Sequence, residues 1–306
     1  MNLNQLKIFY LGVKRGSLTA AAGELNITQP AVTQAIKRLQ EYHDVRLVER
    51  PGKKLVLTES GKALYRIAER IFQLEGLAED CIRSFREEGG QHLRIQTSET
   101  FGGYYLPELI NRYQGLNSEI MLSVDILPNK KVVENTAALA NDVGFISYPI
   151  RHKQLILREV LEERLVLIVA PNHGLARHKT LQPRDLEGQA IIMHEQGSAV
   201  QKAMDELLGR DRSRSSNYLE FSNNEAIKRA VAAGAGIALI SERAAAEEIR
   251  AGRLKALPLC RPPIQRKFYM VHHKSKYISR PLRSLMEMVD RWSWAGEARH
   301  PRTGRR

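Results

Sequence analysis

Hydrophobic residues change their spacing as this chain proceeds, and the changes mark its elements. Between Leu3 and Val13, Leu6, Phe9, Tyr10 and Val13 recur at helical intervals until Gly16 ends the segment, which predicts a first helix. Ser17 can cap a short second helix running to about Leu25, where Ala20, Ala21 and Ala22 permit close helix-helix approach. Asn26 and Ile27 make the turn, asparagine being one of the few residues that tolerate a left-handed backbone. Thr28 caps a third helix with Pro30 in its first turn, where a missing amide hydrogen costs nothing. Val32, Ala35, Ile36 and Leu39 form one apolar stripe on that helix, while Pro30, Thr33, Gln34 and Lys37 lie opposite. Val45 to Glu49 and Leu55 to Thr58 then read as two short strands joined through Pro51 and Gly52, with Arg50, Lys53 and Lys54 at the tip.

A polar, short-chained helix face beside a cationic hairpin suits DNA. Amide and hydroxyl groups near a helix start can donate and accept at base edges in the major groove, and the hairpin cations can neutralise flanking phosphates. An ordinary amphipathic surface helix and a solvated charge run remain the plainer alternatives.

From Glu59 to Glu88 the spacing changes again. There is no proline, the glycines are Gly61 and Gly76, and Leu64, Ile67, Ile71, Leu74, Ala78, Cys81 and Phe85 repeat by three and four. A seam of about three heptads calls for a partner helix, most simply from a second copy; packing against the chain's own C-terminal part is the alternative. On such a seam Cys81 acts as a small apolar residue rather than a redox sensor. Gly89-Gly90 marks a domain boundary.

Beyond it, strand-like runs alternate with helical ones: Leu93 to Thr97, Ile120 to Ile126, Val143 to Ser147, Leu165 to Ala170, Ile191 to His194, Ile237 to Ile240 and Phe268 to Val271. That alternation predicts a mostly parallel sheet covered by helices. Helix starts at Ser98-Glu99-Thr100, Gln196-Gly197-Ser198 and Asn223-Asn224 offer amides and hydroxyls to a small anion, although plain capping would use the same residues.

Composition narrows the function. Hydrophobic residues make up 43% of the chain, and no apolar stretch approaches the ~18 residues that span a bilayer. Met1 to Val13 is amphipathic and does not resemble a signal peptide, so a cytoplasmic location is expected. Forty-seven Lys and Arg against 34 Asp and Glu give a net charge of +13, which favours a polyanion partner. Part of the excess sits in a tail with Arg299, Arg302, Arg305 and Arg306, expected to be disordered. Cys81 and Cys260 are too far apart in sequence for a Cys-x-x-Cys site and argue against a disulfide framework, and the 9 histidines are scattered. No nucleophile elbow, P-loop, His-Glu-x-x-His pair or dinucleotide fingerprint occurs, so neither an enzyme nor a cofactor is expected.

The segments Gly16-Ser17-Leu18-Thr19-Ala20-Ala21-Ala22, Thr28-Gln29-Pro30-Ala31-Val32-Thr33, Val45-Arg46-Leu47-Val48-Glu49-Arg50 and Leu57-Thr58-Glu59-Ser60-Gly61 occur in the order in which LysR-type transcriptional regulators carry them, and the chain resembles that family. It departs from it at Gln34, where a cation is common, at Val48, where Phe is common, and at His43-Asp44, where Leu-Gly is common.

The resemblance implies a winged helix-turn-helix (about 1–58), a linker and dimerisation helix (about 59–88) and a two-lobed α/β domain of periplasmic-binding-protein-like fold (about 89–295). Lobe I would comprise about 91–162 and 268–295, lobe II about 163–267, with crossings near Glu163 and Arg266 and a basic tail at 296–306. Thr28, Gln29, Pro30, Thr33, Gln34 and Lys37 become the candidate reading face, with Arg50, Lys53 and Lys54 on the DNA backbone. Ser98, Thr100, Phe145, Ile146, Gly197, Ser198 and Asn223 become the candidate effector site. The implied protein is a sequence-specific regulator controlled by a small anionic metabolite. Its partners would be an inverted-repeat operator, that effector, further copies in a homodimer or homotetramer, and RNA polymerase as an additional candidate. A non-specific architectural DNA binder with an oligomerising C-terminal domain is the alternative.

Overall fold

The N-terminal helices begin where the sequence offers caps. In the computed structural model, which describes residues 2–49, 55–84, 92–209, 218–259 and 263–294, α1 (Leu3–Lys14), α2 (Leu18–Glu24) and α3 (Gln29–His43) follow Asn2, Ser17 and Thr28. Each of those side chains accepts a hydrogen bond from an amide of the first turn. Asn26 (φ 53°) and Asp44 (φ 49°) take the left-handed conformation that ends α2 and α3. Leu6, Phe9, Val32 and Leu39 are fully buried between the helices.

The wing is shorter than its hydrophobic pattern predicts, with β1 (Val48–Glu49) antiparallel to β2 (Val56–Leu57). The Gln40 carboxamide oxygen explains the difference, because it takes the amides of Leu47 (2.8 Å) and Val48 (3.1 Å) away from any ladder. After β2 the Thr58 hydroxyl donates to the Arg46 carbonyl (2.6 Å) and accepts from the Gly61 amide (3.0 Å), opening α4 (Glu59–Ser84). A Cβ at Gly61 would lie 1.9 Å from the Leu47 carbonyl oxygen, so only glycine lets the helix meet the wing.

The expected seam on α4 is divided. Leu64 and Ile71 turn toward the N-terminal core beside fully buried Ala68, and Tyr65 and Phe72 stack on Tyr10 with centroids 5.5 and 5.3 Å away. Ile67 (55%), Leu74 (60%) and Ile82 (68%) remain exposed, as does Ala78. The side chain of Cys81 and all of Phe85 lie outside the described residues.

The chain divides into two compact units, Met1–Arg86 and Glu87–Arg306. In the second, the strands are β3 (His92–Thr97), β4 (Met121–Ile126), β5 (Val143–Ile146), β6 (Leu155–Val169), β7 (Ile191–His194), β8 (Tyr218–Phe221), β9 (Ile237–Ser241), β10 (Lys255–Leu257) and β11 (Ile264–His273). They form one sheet in the order β4-β3-β5-β11-β6-β9-β7-β8, with β10 on β6.

The sheet is mixed rather than mostly parallel. β4-β3-β5 and β8-β7-β9 are each parallel, but β6 and β11 run antiparallel to each other and to their neighbours β9 and β5. Charges at Arg158, Glu159, Glu162, Glu163 and Arg164 hide the first half of β6 from a hydrophobic-pattern reading. The β6-β11 pair joins the two parallel groups, and within it Arg266 is in register with Glu163.

Two lobes result, each with its own core. Phe101, Phe145, Leu109 and Phe268 pack under α5 (Glu99–Tyr104), α6 (Leu106–Leu116) and α11 (Arg280–Arg291) in the first. α7 (Asn129–Ala137) covers its other face through Val132. In the second, Leu167, Val169, Met204 and Leu239 lie beneath α8 (Ala199–Leu208). Ile227, Val231 and Ala245 lie beneath α9 (Asn224–Ala232) and α10 (Glu242–Arg250).

Candidate functional site

The proposed reading face of α3 is built from its first turn upward. Thr28 caps the helix, the Gln29 amide donates to the Thr33 hydroxyl (2.9 Å), and that hydroxyl donates to the Gln29 carbonyl (3.2 Å). Pro30, Gln34 and Lys37 are exposed beside them, and Lys37 lies 3.5 Å from Glu41. Arg50, Lys53 and Lys54 lie outside the described residues. Gln40, which sequence reasoning passed over, positions the wing from this same helix.

The second candidate site lies where the two lobes meet, in a cavity of about 280 Å³. Its lobe I wall comes from the ends of β3, β4 and β5: Ser98, Glu99, Thr100, Ile126, Leu127, Pro128, Asn129 and Ser147. Lobe II contributes His194, Glu195, Ser198, Ser222 and Asn223, and Arg266 enters from β11. Strand ends are the usual place for such a site, because the chain leaves the sheet there with its amides unused.

Capping uses some of these residues and not others. Ser198 Oγ accepts from the Gln201 amide (3.0 Å) and Asn223 Oδ1 from the Ala226 amide (2.7 Å), so both close helices. Ser98 makes no side-chain cap; its amide donates to the Phe145 carbonyl (2.8 Å), and its hydroxyl is buried without a partner. A Cβ at Gly102 would come within 2.5 Å of the Thr97 side chain, so that glycine lets α5 sit against the end of β3.

Glu99 bridges the lobes. Its carboxylate accepts from the Asn224 amide (2.7 Å) and the Asn224 side chain (2.9 Å), and lies 3.4 Å from His194 Nε2. Asn224 also donates to the Thr100 hydroxyl (3.2 Å). Elsewhere between the lobes the Lys202 ammonium stands 4.7 Å from the Tyr148 ring centre. Within lobe I, Asn129 holds Ser147, donating to its hydroxyl (3.0 Å) and accepting from its amide (2.8 Å).

Behind the cavity Arg266 pairs through Nε with Glu163, whose carboxylate also accepts from Tyr105 (2.6 Å) and Ser241 (2.8 Å). Burial above all, then the Glu163 charge, pushes the Tyr105 phenol far above its ordinary range, so Tyr105 stays a donor. The remaining amino group, Arg266 Nη2, has no partner, and neither has His194 Nδ1. Ser98, His194 and Arg266 thus each leave one buried polar atom unsatisfied, and all three line the cavity.

Other expected residues lie elsewhere. Phe145 stacks on Phe101 at 4.5 Å, and Ile146 packs with Val132, Leu155 and Val271; both are fully buried, so only the β5 backbone approaches the cavity. β5 is covered on both faces, which gives its large side chains no route out. Gly197 (φ +84°) is exposed in the turn before Ser198 and does not line the cavity. Sequence reasoning missed Glu99, Asn129, Ser147, His194, Glu195, Ser222 and Arg266 as site residues; the strand-to-helix junctions at Ser98-Glu99-Thr100 and after His194 were the available signal.

Comparison with known proteins agrees with this architecture. Residues 3–62 match the family described as "Bacterial regulatory helix-turn-helix protein, lysR family", and residues 86–293 match the "LysR substrate binding domain". The chain is 33% identical over 291 residues to the HTH-type transcriptional regulator YeiE of Escherichia coli, covering 95% of this chain and 97% of that one. A solved full-length CbnR complexed with its target DNA superposes with a TM-score of 0.63 at 24% identity, covering 95% of this chain and 99% of CbnR. The Synechocystis CcmR regulatory domain, solved with 2-PG, superposes with a TM-score of 0.59 at 25% identity, covering 65% of this chain and 95% of CcmR.

Proposed function

The chain belongs to the LysR family of helix-turn-helix transcriptional regulators, and from that premise we propose how its two sites divide the work. The α3 face formed by Thr28, Gln29, Pro30, Thr33, Gln34 and Lys37 enters the major groove, while Arg50, Lys53 and Lys54 grip flanking phosphates. A second copy pairs through the exposed side of α4, at Ile67, Leu74 and Ala78, so that two reading faces meet an inverted repeat. CbnR, solved on its target DNA, supports this reading of the fold. The work is divided among a reading module at about 1–58, a pairing helix at about 59–88 and an effector domain at about 89–295, acting in the cytoplasm with RNA polymerase as a further partner.

The effector is a small anion held between the lobes by Ser98, His194 and Arg266, with Thr100, Ser198 and Asn223 around it. The observation that carries this is the set of three unpartnered, buried polar atoms on residues lining one cavity, since native proteins rarely leave such groups unsatisfied. The CcmR regulatory domain, solved with 2-PG, supports the same ligand class. Closure of the lobes on the anion shifts the spacing of the paired reading heads.

Footprinting and thermal shift test the proposal together. A panel of small carboxylates and phosphorylated acids should raise the melting temperature, and the member that does so should alter the operator footprint. Operator DNA should outcompete random duplex by ~10³ or more at fixed salt. Equal affinity for any duplex, or footprints unchanged at every effector concentration, would defeat it.

A further inference from the structure

The lining of the cavity poses an electrostatic problem for any anion. Glu99 and Glu195 line it, and the guanidinium that faces them, Arg266, is already paired with Glu163. A ligand carrying negative charge therefore enters a space in which carboxylates outnumber fixed cations. Polar groups compensate in part, but like charges in a water-poor site repel strongly unless a positive charge is added.

His194 is the lining residue that can add it. The imidazole is 8% exposed, its Nε2 lies 3.4 Å from the Glu99 carboxylate, and its Nδ1 has no partner. A carboxylate only accepts hydrogen bonds, so Nε2 must carry a hydrogen to face it. The neutral ring then has a bare Nδ1. An anion at Nδ1 also only accepts, and no neutral tautomer can donate on both sides. The imidazolium can, and a histidine ring ordinarily changes charge between about pH 5 and 8.

Nearby charges leave this logic intact. Helices α8 and α9 present Ser198 and Asn224 at their starts, and their nearest charged side chains are engaged elsewhere, Lys202 over the Tyr148 ring and Glu225 with Lys228 at 2.6 Å. Glu99 is the group that faces the ring, and Glu195 and Arg266 are the remaining ionised groups of the lining.

We propose that the cleft binds its anion together with a proton, taken from solvent onto His194 and held between the ligand at Nδ1 and Glu99 at Nε2. The ligand's charge thereby reinforces the His194-Glu99 contact that spans the lobes, so effector and proton close the cleft as a pair. This rests on the reading of the cavity as an anion site, and the test separates the two.

Titration calorimetry of the full-length chain with oxalate, sulfate and glycolate, whose own charges are constant near neutrality, is run in buffers of different ionisation enthalpy. For whichever anion binds, uptake of about one proton per site is expected, with affinity falling roughly tenfold per pH unit between about pH 7 and 8.5. His194→Gln should bind with affinity independent of pH. Glu99→Gln should also abolish proton uptake, because the glutamine amide can donate to a bare Nε2 and let the neutral ring face the anion. Binding of an anion with no proton uptake and a flat pH profile overturns the proton linkage and leaves the anion site standing. Failure of all three anions, and of 2-phosphoglycolate, to bind at any pH overturns both.

Discussion

The polar groups of α3 and those of the interlobe cavity wait for their ligands in opposite surroundings. Pro30, Gln34 and Lys37 stand in solvent, and Gln29 and Thr33 satisfy each other, so the reading face costs the fold little while unoccupied. Ser98, His194 and Arg266 have lost water without gaining partners, and each unsatisfied atom weighs on the ligand-free state. A trade between stability and function is therefore confined to the cleft. Exposed ion pairs such as Arg15 with Glu24 (2.7 Å) belong with the first class, and the Arg266-Glu163 pair with the second.

Substitutions can break this contrast. Arg266→Met strands the Glu163 charge in the sheet and should lower unfolding free energy by about 3–5 kcal/mol, measured by denaturant melts of the C-terminal unit. An unchanged midpoint would mean that the cleft is not the costly region. Gln34→Ala should weaken operator binding by about 1–3 kcal/mol while leaving the melting temperature and random-duplex binding alone, read by competition at fixed salt. A loss shared equally by random DNA would move Gln34 from base reading to backbone contact. The smallest and most pointed effect is Ser98→Ala, which removes an unpartnered hydroxyl and should stabilise the ligand-free protein by about 1 kcal/mol while weakening the effector anion. A destabilised Ser98→Ala would show that the hydroxyl already has a use in the empty cleft.

The N-terminal unit was legible because its signals are local. Ser17, Thr28, Asn26 and the Val32-Ile36-Leu39 stripe each act within a turn or two of themselves, and each does in the structure what its chemistry suggests. The left-handed Asp44 stands where relatives of this kind commonly have glycine, and a short polar side chain tolerates that conformation.

The cleft was legible only by halves. Ser98, Thr100, Ser198 and Asn223 announce themselves at helix starts, whereas Arg266 lies among Gln265 and Lys267 in a charged stretch whose inward member is chosen by register with Glu163 across β6. His194 closes an apolar strand, and its importance depends on Glu99, far away in sequence. Phe145 and Ile146 were placed by analogy of position, which cannot say that both faces of β5 are covered. On α4, the repeat of threes and fours could not tell which residues serve the unit's own core and which stay exposed.

The junction at Gly61 has a mechanical meaning. The bare Cα of Gly61 sits against the Leu47 carbonyl, Thr58 ties Arg46 to the start of α4, and Ala68 is sunk in the core of the reading head. Shaft and head are thus cast in one piece, with no swivel between them. Any torque delivered to the far end of α4 arrives at α3 undiminished, and a single residue inserted midway would turn the two heads out of phase with the groove by about a quarter of a rotation.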